Sequence, residues 1–112
     1  MTSLKSRKKE GEDVSLSRRM RLIEWLKVEL LNSVSALFDS FFRNSKEDSL
    51  DALSNLIMVS YLLARRTGIS YQRLDRRVDE KIRDNIDSNH PLEDWSGDLT
   101  ALISFREEQK ME

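Results

Sequence analysis

Residues 22–68 constrain the chain most. They read as two amphipathic helices joined by a short polar turn: EWLKVELLNSVSALFDSFF, then RNSKED, then SLDALSNLIMVSYLLARRTG. In the first segment Ile23, Leu26, Leu30, Val34, Leu37 and Phe41 recur at intervals of three and four, the apolar seam of a bundle helix. Leu22, Trp25, Phe38 and Phe42 flank that seam. They widen it enough to predict contact with more than one neighbour, with burial of Trp25, Phe38 and Phe41 contributing roughly 1.5–3 kcal/mol each. Ser15 or Ser17 is the expected N-cap, and this helix is expected to run to about Arg43. Ser45-Lys46-Glu47-Asp48 nearly matches a capping box, with Asp where Glu or Gln is usual. The second helix is predicted to turn Leu50, Leu53, Ile57 and Ala64 inward, with Leu56, Val59 and Leu63 beside them. Arg65 and Arg66 suit its negative C-terminal end, and Gly68 sits where a positive φ closes a helix.

The remaining chain continues the pattern. Ser70 is the expected cap of a third helix, whose narrow stripe holds Tyr71, Leu74, Val78, Ile82 and Ile86. Its other faces are charged and are expected to be solvated, laced by i, i+4 ion pairs. Asn89-His90-Pro91 breaks the chain, with Pro91 suited to a first helical position. Asp98 can cap a short last helix through Leu99, Leu102 and Phe105. The predicted fold class is therefore all-α: a small helical bundle on a long helix 1–helix 2 hairpin, with helix 3 and a short C-terminal helix. The expected division is a disordered basic arm over residues 1–14, a helical domain over 15–106 and a polar tail over 107–112.

Composition excludes several chemistries. Among 112 residues there is no cysteine, so no disulfide, thiolate metal site or thiol nucleophile. Three glycines leave no phosphate-cradling loop. His90, the single histidine, has neither a triad nor zinc-type spacing around it and reads as a cap or surface residue. The longest apolar run, 56–59, is far short of the roughly 20 residues a membrane span needs. No apolar leader opens the sequence, and a soluble cytoplasmic protein without membrane association is expected. Residues 1–21 carry seven Lys or Arg against three Asp or Glu, whereas the whole chain has a net charge of −1. The basic arm lacks aromatic-basic interleaving and a recognition-helix pattern, so nucleic acid is not an expected partner.

The two hairpin segments, with LDRRVDEKIRDNID and HPLEDWSGDL downstream, resemble the MazG-like branch of the all-α NTP pyrophosphohydrolase superfamily over roughly residues 22–106. That resemblance implies cleavage of nucleoside triphosphates to monophosphate and pyrophosphate with Mg²⁺. The ions would be held by an E-E-x-x-E cluster on the first core helix and an E-x-x-D on the second. The chemistry suits such hardware, because Mg²⁺ prefers octahedral oxygen ligands and carboxylates one turn apart point the same way. Here the first pattern falls on Asn32, Ser33 and Ala36, and the second on Ala52 and Asn55. All are neutral. The expectation is a catalytically impaired member with no assigned catalytic, cofactor-binding or metal-binding residue and no cofactor, acting as a helical module that binds a nucleotide or a protein. The alternative is an active Mg²⁺-dependent pyrophosphohydrolase with a shifted site, using Glu29 and Asp51 with amide oxygens from Asn32 and Asn55. Asn32, Ser33, Ser35, Ser54, Asn55 and Ser60 otherwise read as interhelical hydrogen-bonding groups that also permit close helix approach. Paired subunits are typical of the superfamily, so a homodimer or higher homo-oligomer is expected.

Overall fold

The computed structural model describes the backbone of residues 4–111 and the side chains of residues 15–111. Five helices account for the described chain: α1 (Leu4–Phe42), α2 (Lys46–Arg66), α3 (Tyr71–Asp87), α4 (Pro91–Ser96) and α5 (Asp98–Met111). No strand occurs among the described residues, so the all-α expectation holds. The chain divides between Ile69 and Ser70 into two compact units: the α1–α2 hairpin, and α3 with α4 and α5.

Three of the helix endings share one local device. Asn44, Gly68 and Asn89 take positive φ values of 54°, 91° and 57°, reversing the chain just past α1, α2 and α3. In each case the next residue donates its N–H back to a carbonyl five residues earlier: Ser45 to Ser40, Ile69 to Ala64 and His90 to Asn85. Asparagine and glycine are the residues that tolerate this conformation. Replacing Gly68 with Ala places a Cβ in open space but at φ +91°, so the cost is backbone strain alone. The expected loss is about 1 kcal/mol, read from chemical denaturation of the variant. The helix starts are equally local. Ser45 Oγ accepts the Asp48 N–H at 3.2 Å, and Ser70 Oγ accepts the Arg73 N–H at 3.1 Å. His90 Nδ1 accepts the Leu92 N–H at 3.2 Å, with Pro91 in the first turn of α4.

Several boundaries differ from the sequence expectation. α1 begins at Leu4, so neither Ser15 nor Ser17 is its cap, while the side chains of the basic arm over 1–14 lie outside the described residues. At α5 the carboxylate of Glu93, not Asp98, takes the N-terminal donors: it accepts the Thr100 N–H at 3.0 Å and also the Thr100 hydroxyl. α5 then continues through Met111 where a polar tail was expected, because its last turns are tied to α3. Arg83 meets Glu107 at 2.7 Å, and Lys110 reaches Asp79.

The hairpin seam also departs from the most apolar choice. Leu26, Leu30 and Leu37 turn toward α2 as expected, but Val34 and Phe41 do not. Ser33 and Ser40 take the seam instead, Ser40 at 0% exposure. Each serine hydroxyl is satisfied: Ser33 donates to the Glu29 carbonyl at 2.8 Å, and Ser40 bonds the Leu37 carbonyl at 2.6 Å and Ser49 Oγ at 2.7 Å. Small side chains let two helices approach closely, and serine manages its polar atom by bonding its own helix. On α2 the seam is Ala52, Leu56, Val59 and Leu63, with Val59 at 2% exposure, rather than Leu50, Leu53 and Ile57. The expected burial of Trp25, Phe38 and Phe41 is corrected too, since all three are more than half exposed.

In the second unit the predicted α3 stripe faces inward, with Ile82 buried and Tyr71, Leu74, Val78 and Ile86 half-buried. Ile103 of α5 is buried within the same unit. Beside this apolar contact lies an ion cluster. Asp79, its side chain 7% exposed, receives Arg106 Nε at 2.5 Å and Lys110 Nζ, while Arg106 also reaches Asp75 at 3.3 Å.

A polar notch along the hairpin seam

One flank of the α1–α2 seam opens into a notch of about 550 Å³. From α1 it is lined by Glu29, Asn32, Ser33, Ala36 and Asp39, with Arg43 just past the helix end. From α2 it is lined by Asp48, Asp51, Ala52, Ser54, Asn55 and Met58. On α1 these side chains follow from spacing: 29, 32, 36, 39 and 43 alternate three and four apart, one row beside the seam. Trp25 continues that row one turn further back and is exposed. The antiparallel course of α2 brings Asn55 opposite Ser33, and Asn55 Nδ2 donates to Ser33 Oγ at 2.5 Å.

The five positions where the sequence pattern placed metal carboxylates, Asn32, Ser33, Ala36, Ala52 and Asn55, therefore share this one cavity. So do Glu29 and Asp51 of the alternative set. Glu24 is instead exposed and paired with Lys27 at 2.7 Å. The expected interhelical hydrogen bonding is present for Ser33 and Asn55. Ser54 and Ser60 bond carbonyls of their own helix, at Leu50 and Leu56.

Arg43 is the group that sequence inspection missed, its one local signal being the common i, i+4 spacing from Asp39. Its Nε donates to Asp39 at 2.9 Å and its Nη1 to Asp48 at 2.9 Å, closing the turn end of the notch with a fixed guanidinium. Arg43, and after it the Ser45 hydroxyl, hold the Asp48 carboxyl below its ordinary range. Asp39, and then Asp48, raise the Arg43 guanidinium in turn. All three side chains are about half exposed, so the network orients groups more than it stabilises the fold.

The Mg²⁺ that the superfamily chemistry implies can be tested against these donors. Among the described residues no three acidic or histidine side chains are grouped to hold a metal ion. Asp39 and Asp48 already share a guanidinium, and the amide nitrogen of Asn55 is directed at Ser33 rather than leaving the pair free for a cation. Mg²⁺ held by a protein needs several anionic oxygens in near-octahedral array. The other two carboxylates lining the notch are Glu29 of α1 and Asp51 of α2.

The fold and the notch define a class: an all-α protein built on an antiparallel helical hairpin with a polar notch along one flank. The MazG-like family model matches residues 16–99, and the chain belongs to the MazG-like family. That family supports the nucleotide pyrophosphohydrolase superfamily as its kind. No curated protein and no solved structure matches the chain. No described helix is long and apolar enough to cross a membrane.

Proposed function

We propose that the protein is a MazG-like module of the nucleotide pyrophosphohydrolase superfamily that has given up catalysis and works in the cytoplasm as an oligomeric nucleotide-binding unit. One observation carries this reading. The notch lies along the two hairpin helices, and the five of its positions expected to bear carboxylates present amides, a hydroxyl and methyl groups instead. Those five positions offer hydrogen bonds to a base or ribose and, being neutral, supply little for a metal-bridged triphosphate. Trp25, in the row of Glu29 and Asn32, adds a flat apolar ring where a base can stack.

A second reading is favoured by the presence of both Glu29 and Asp51 in the notch: a displaced Mg²⁺-dependent pyrophosphohydrolase. One experiment separates the two. Purified protein is mixed with each NTP, with and without Mg²⁺ or Mn²⁺, while pyrophosphate release and Trp25 fluorescence are followed in a Trp95→Phe background. The expected outcome is saturable quenching of Trp25 with no pyrophosphate above the rate without protein. Turnover abolished by Glu29→Gln or Asp51→Asn would establish the displaced site instead. Absence of both quenching and turnover for every nucleotide would leave a protein-binding role.

A further inference from the structure

The two ends of the notch differ in chemistry. At the turn end Asp39 and Asp48 are committed to the Arg43 guanidinium, each at 2.9 Å. At the other end stands Glu29, half-buried, whose carboxylate bonds no side chain among the described residues. Taking part of a carboxylate out of water without a partner costs free energy that a ligand bearing N–H donors would recover. Trp25 precedes Glu29 by one turn on the same row, and residues so spaced hold their Cβ atoms about 5–6 Å apart. Its ring is 58% exposed. A flat apolar ring beside an acceptor-only carboxylate gives a nucleobase both contacts it needs, a face to stack on and an edge partner.

We infer that the notch selects guanine, with Glu29 as the specificity-determining residue, and takes it as a nucleoside rather than a triphosphate. The inference rests on the nucleotide-binding reading above and names its ligand. The base follows from the donors. An ionised carboxylate only accepts, and its two oxygens take parallel N–H bonds from a planar donor pair. Guanine presents such a pair on its Watson–Crick edge, the ring N1–H beside the exocyclic amino group. Adenine and cytosine place a ring acceptor beside their amino group, and uracil flanks its N–H with two carbonyls. Each of those edges sets a lone pair against the carboxylate. A base seated at Glu29 leaves its sugar beside Asn32 and the Ser33–Asn55 pair, about 6 Å further along α1. Beyond the sugar the lining turns acidic, with Asp51, Asp39 and Asp48, and Arg43 is already shared by the last two. A triphosphate laid along that course would add like charge to like charge.

The test follows Trp25 fluorescence of the full chain in the Trp95→Phe background, with a metal chelator present, against guanosine, inosine, adenosine and GTP. Guanosine is expected to bind most tightly and adenosine roughly tenfold to a hundredfold more weakly, the discrimination a good bidentate pair supplies. Inosine, which lacks the exocyclic amino group, should fall between them, and GTP should bind more weakly than guanosine. Glu29→Gln is expected to bring guanosine and adenosine close to parity with helical circular dichroism unchanged, because no other side chain depends on that carboxylate. Glu24→Gln, an exposed carboxylate outside the notch, should keep the full preference. Equal, saturable quenching by guanosine and adenosine overturns the guanine assignment and leaves the nucleotide-binding reading standing. A preference that survives Glu29→Gln overturns the role of Glu29, and tighter binding of GTP than of guanosine overturns the nucleoside form. No quenching by any of the four removes the nucleotide-binding reading and this inference with it.

Discussion

Asp79→Ala is expected to destabilise the α3–α5 unit by about 2–3 kcal/mol, read as a lower denaturant midpoint at neutral pH. The Asp79 carboxylate is buried and holds two cations from α5, Arg106 at 2.5 Å and Lys110. Removing it strands Arg106, a side chain only 18% exposed, with the weaker contact to Asp75 at 3.3 Å. The same cluster fixes a pH dependence. Lys110, then Arg106, hold the Asp79 carboxyl below its ordinary range, so its folded-state value lies below the unfolded one. Its contribution is fully present above the ordinary aspartate pKa and is lost as pH falls through the lowered folded-state value. Acid titration of helicity should show a step in the wild type that shrinks in Asp79→Asn, a variant that keeps the shape and removes the charge. An unchanged acid profile in Asp79→Asn would mean that the cluster is not what fastens α5.

The largest effect is expected from Val59→Asp. Val59 sits at the middle of the α1–α2 seam, 2% exposed. A carboxylate forced into that position has to desolvate without a partner, a cost large enough to consume most of the stability of a small domain. Loss of the hairpin's helical signal at ambient temperature is the expected readout. Ile57→Asp, two residues away but on the exposed apolar face, is the matched control: it should leave the helical signal intact. If both variants unfold, the boundary between seam and face is drawn in the wrong place. If neither does, the seam is not the core of this unit.

That boundary is also where sequence inspection and structure part company. Helix identities, the turn at Asn44, the caps at Ser45 and Ser70 and the αL glycine at 68 were all legible, because each depends on residues within a few positions of one another. The α3 stripe was legible for the same reason: one narrow apolar row leaves one way to face inward. α1 and α2 have broad apolar faces, and hydrophobicity alone favoured Val34 and Phe41 over Ser33 and Ser40. The structure buries the serines instead, each with its hydroxyl bonded to a carbonyl of its own helix. Long-range pairs gave no local signal. Nothing near Asp79 announces Arg106, 27 residues on, and nothing near Glu93 announces that it, rather than Asp98, serves Thr100. The notch was legible in outline, since Asn32, Ser33, Ala36, Ala52 and Asn55 do converge on one cavity. Its guanidinium brace was not, because an Asp39–Arg43 spacing is shared by many solvated helix surfaces.

The three reversals at Asn44, Gly68 and Asn89 bear on how quickly the chain finds its fold. Each stops a helix with bonds that reach back no more than five residues, so the ends of α1, α2 and α3 are set before distant segments meet. Once they are set, α1 and α2 are neighbours across a turn of three residues, and the loop to be closed is short. Loop-closure entropy is then small and the search is local, the regime in which chains of this size collapse rapidly and expose apolar surface only briefly. For a hairpin that carries Phe38, Phe41 and Ile57 on its outside, a short search limits the time in which those side chains can meet the wrong neighbour.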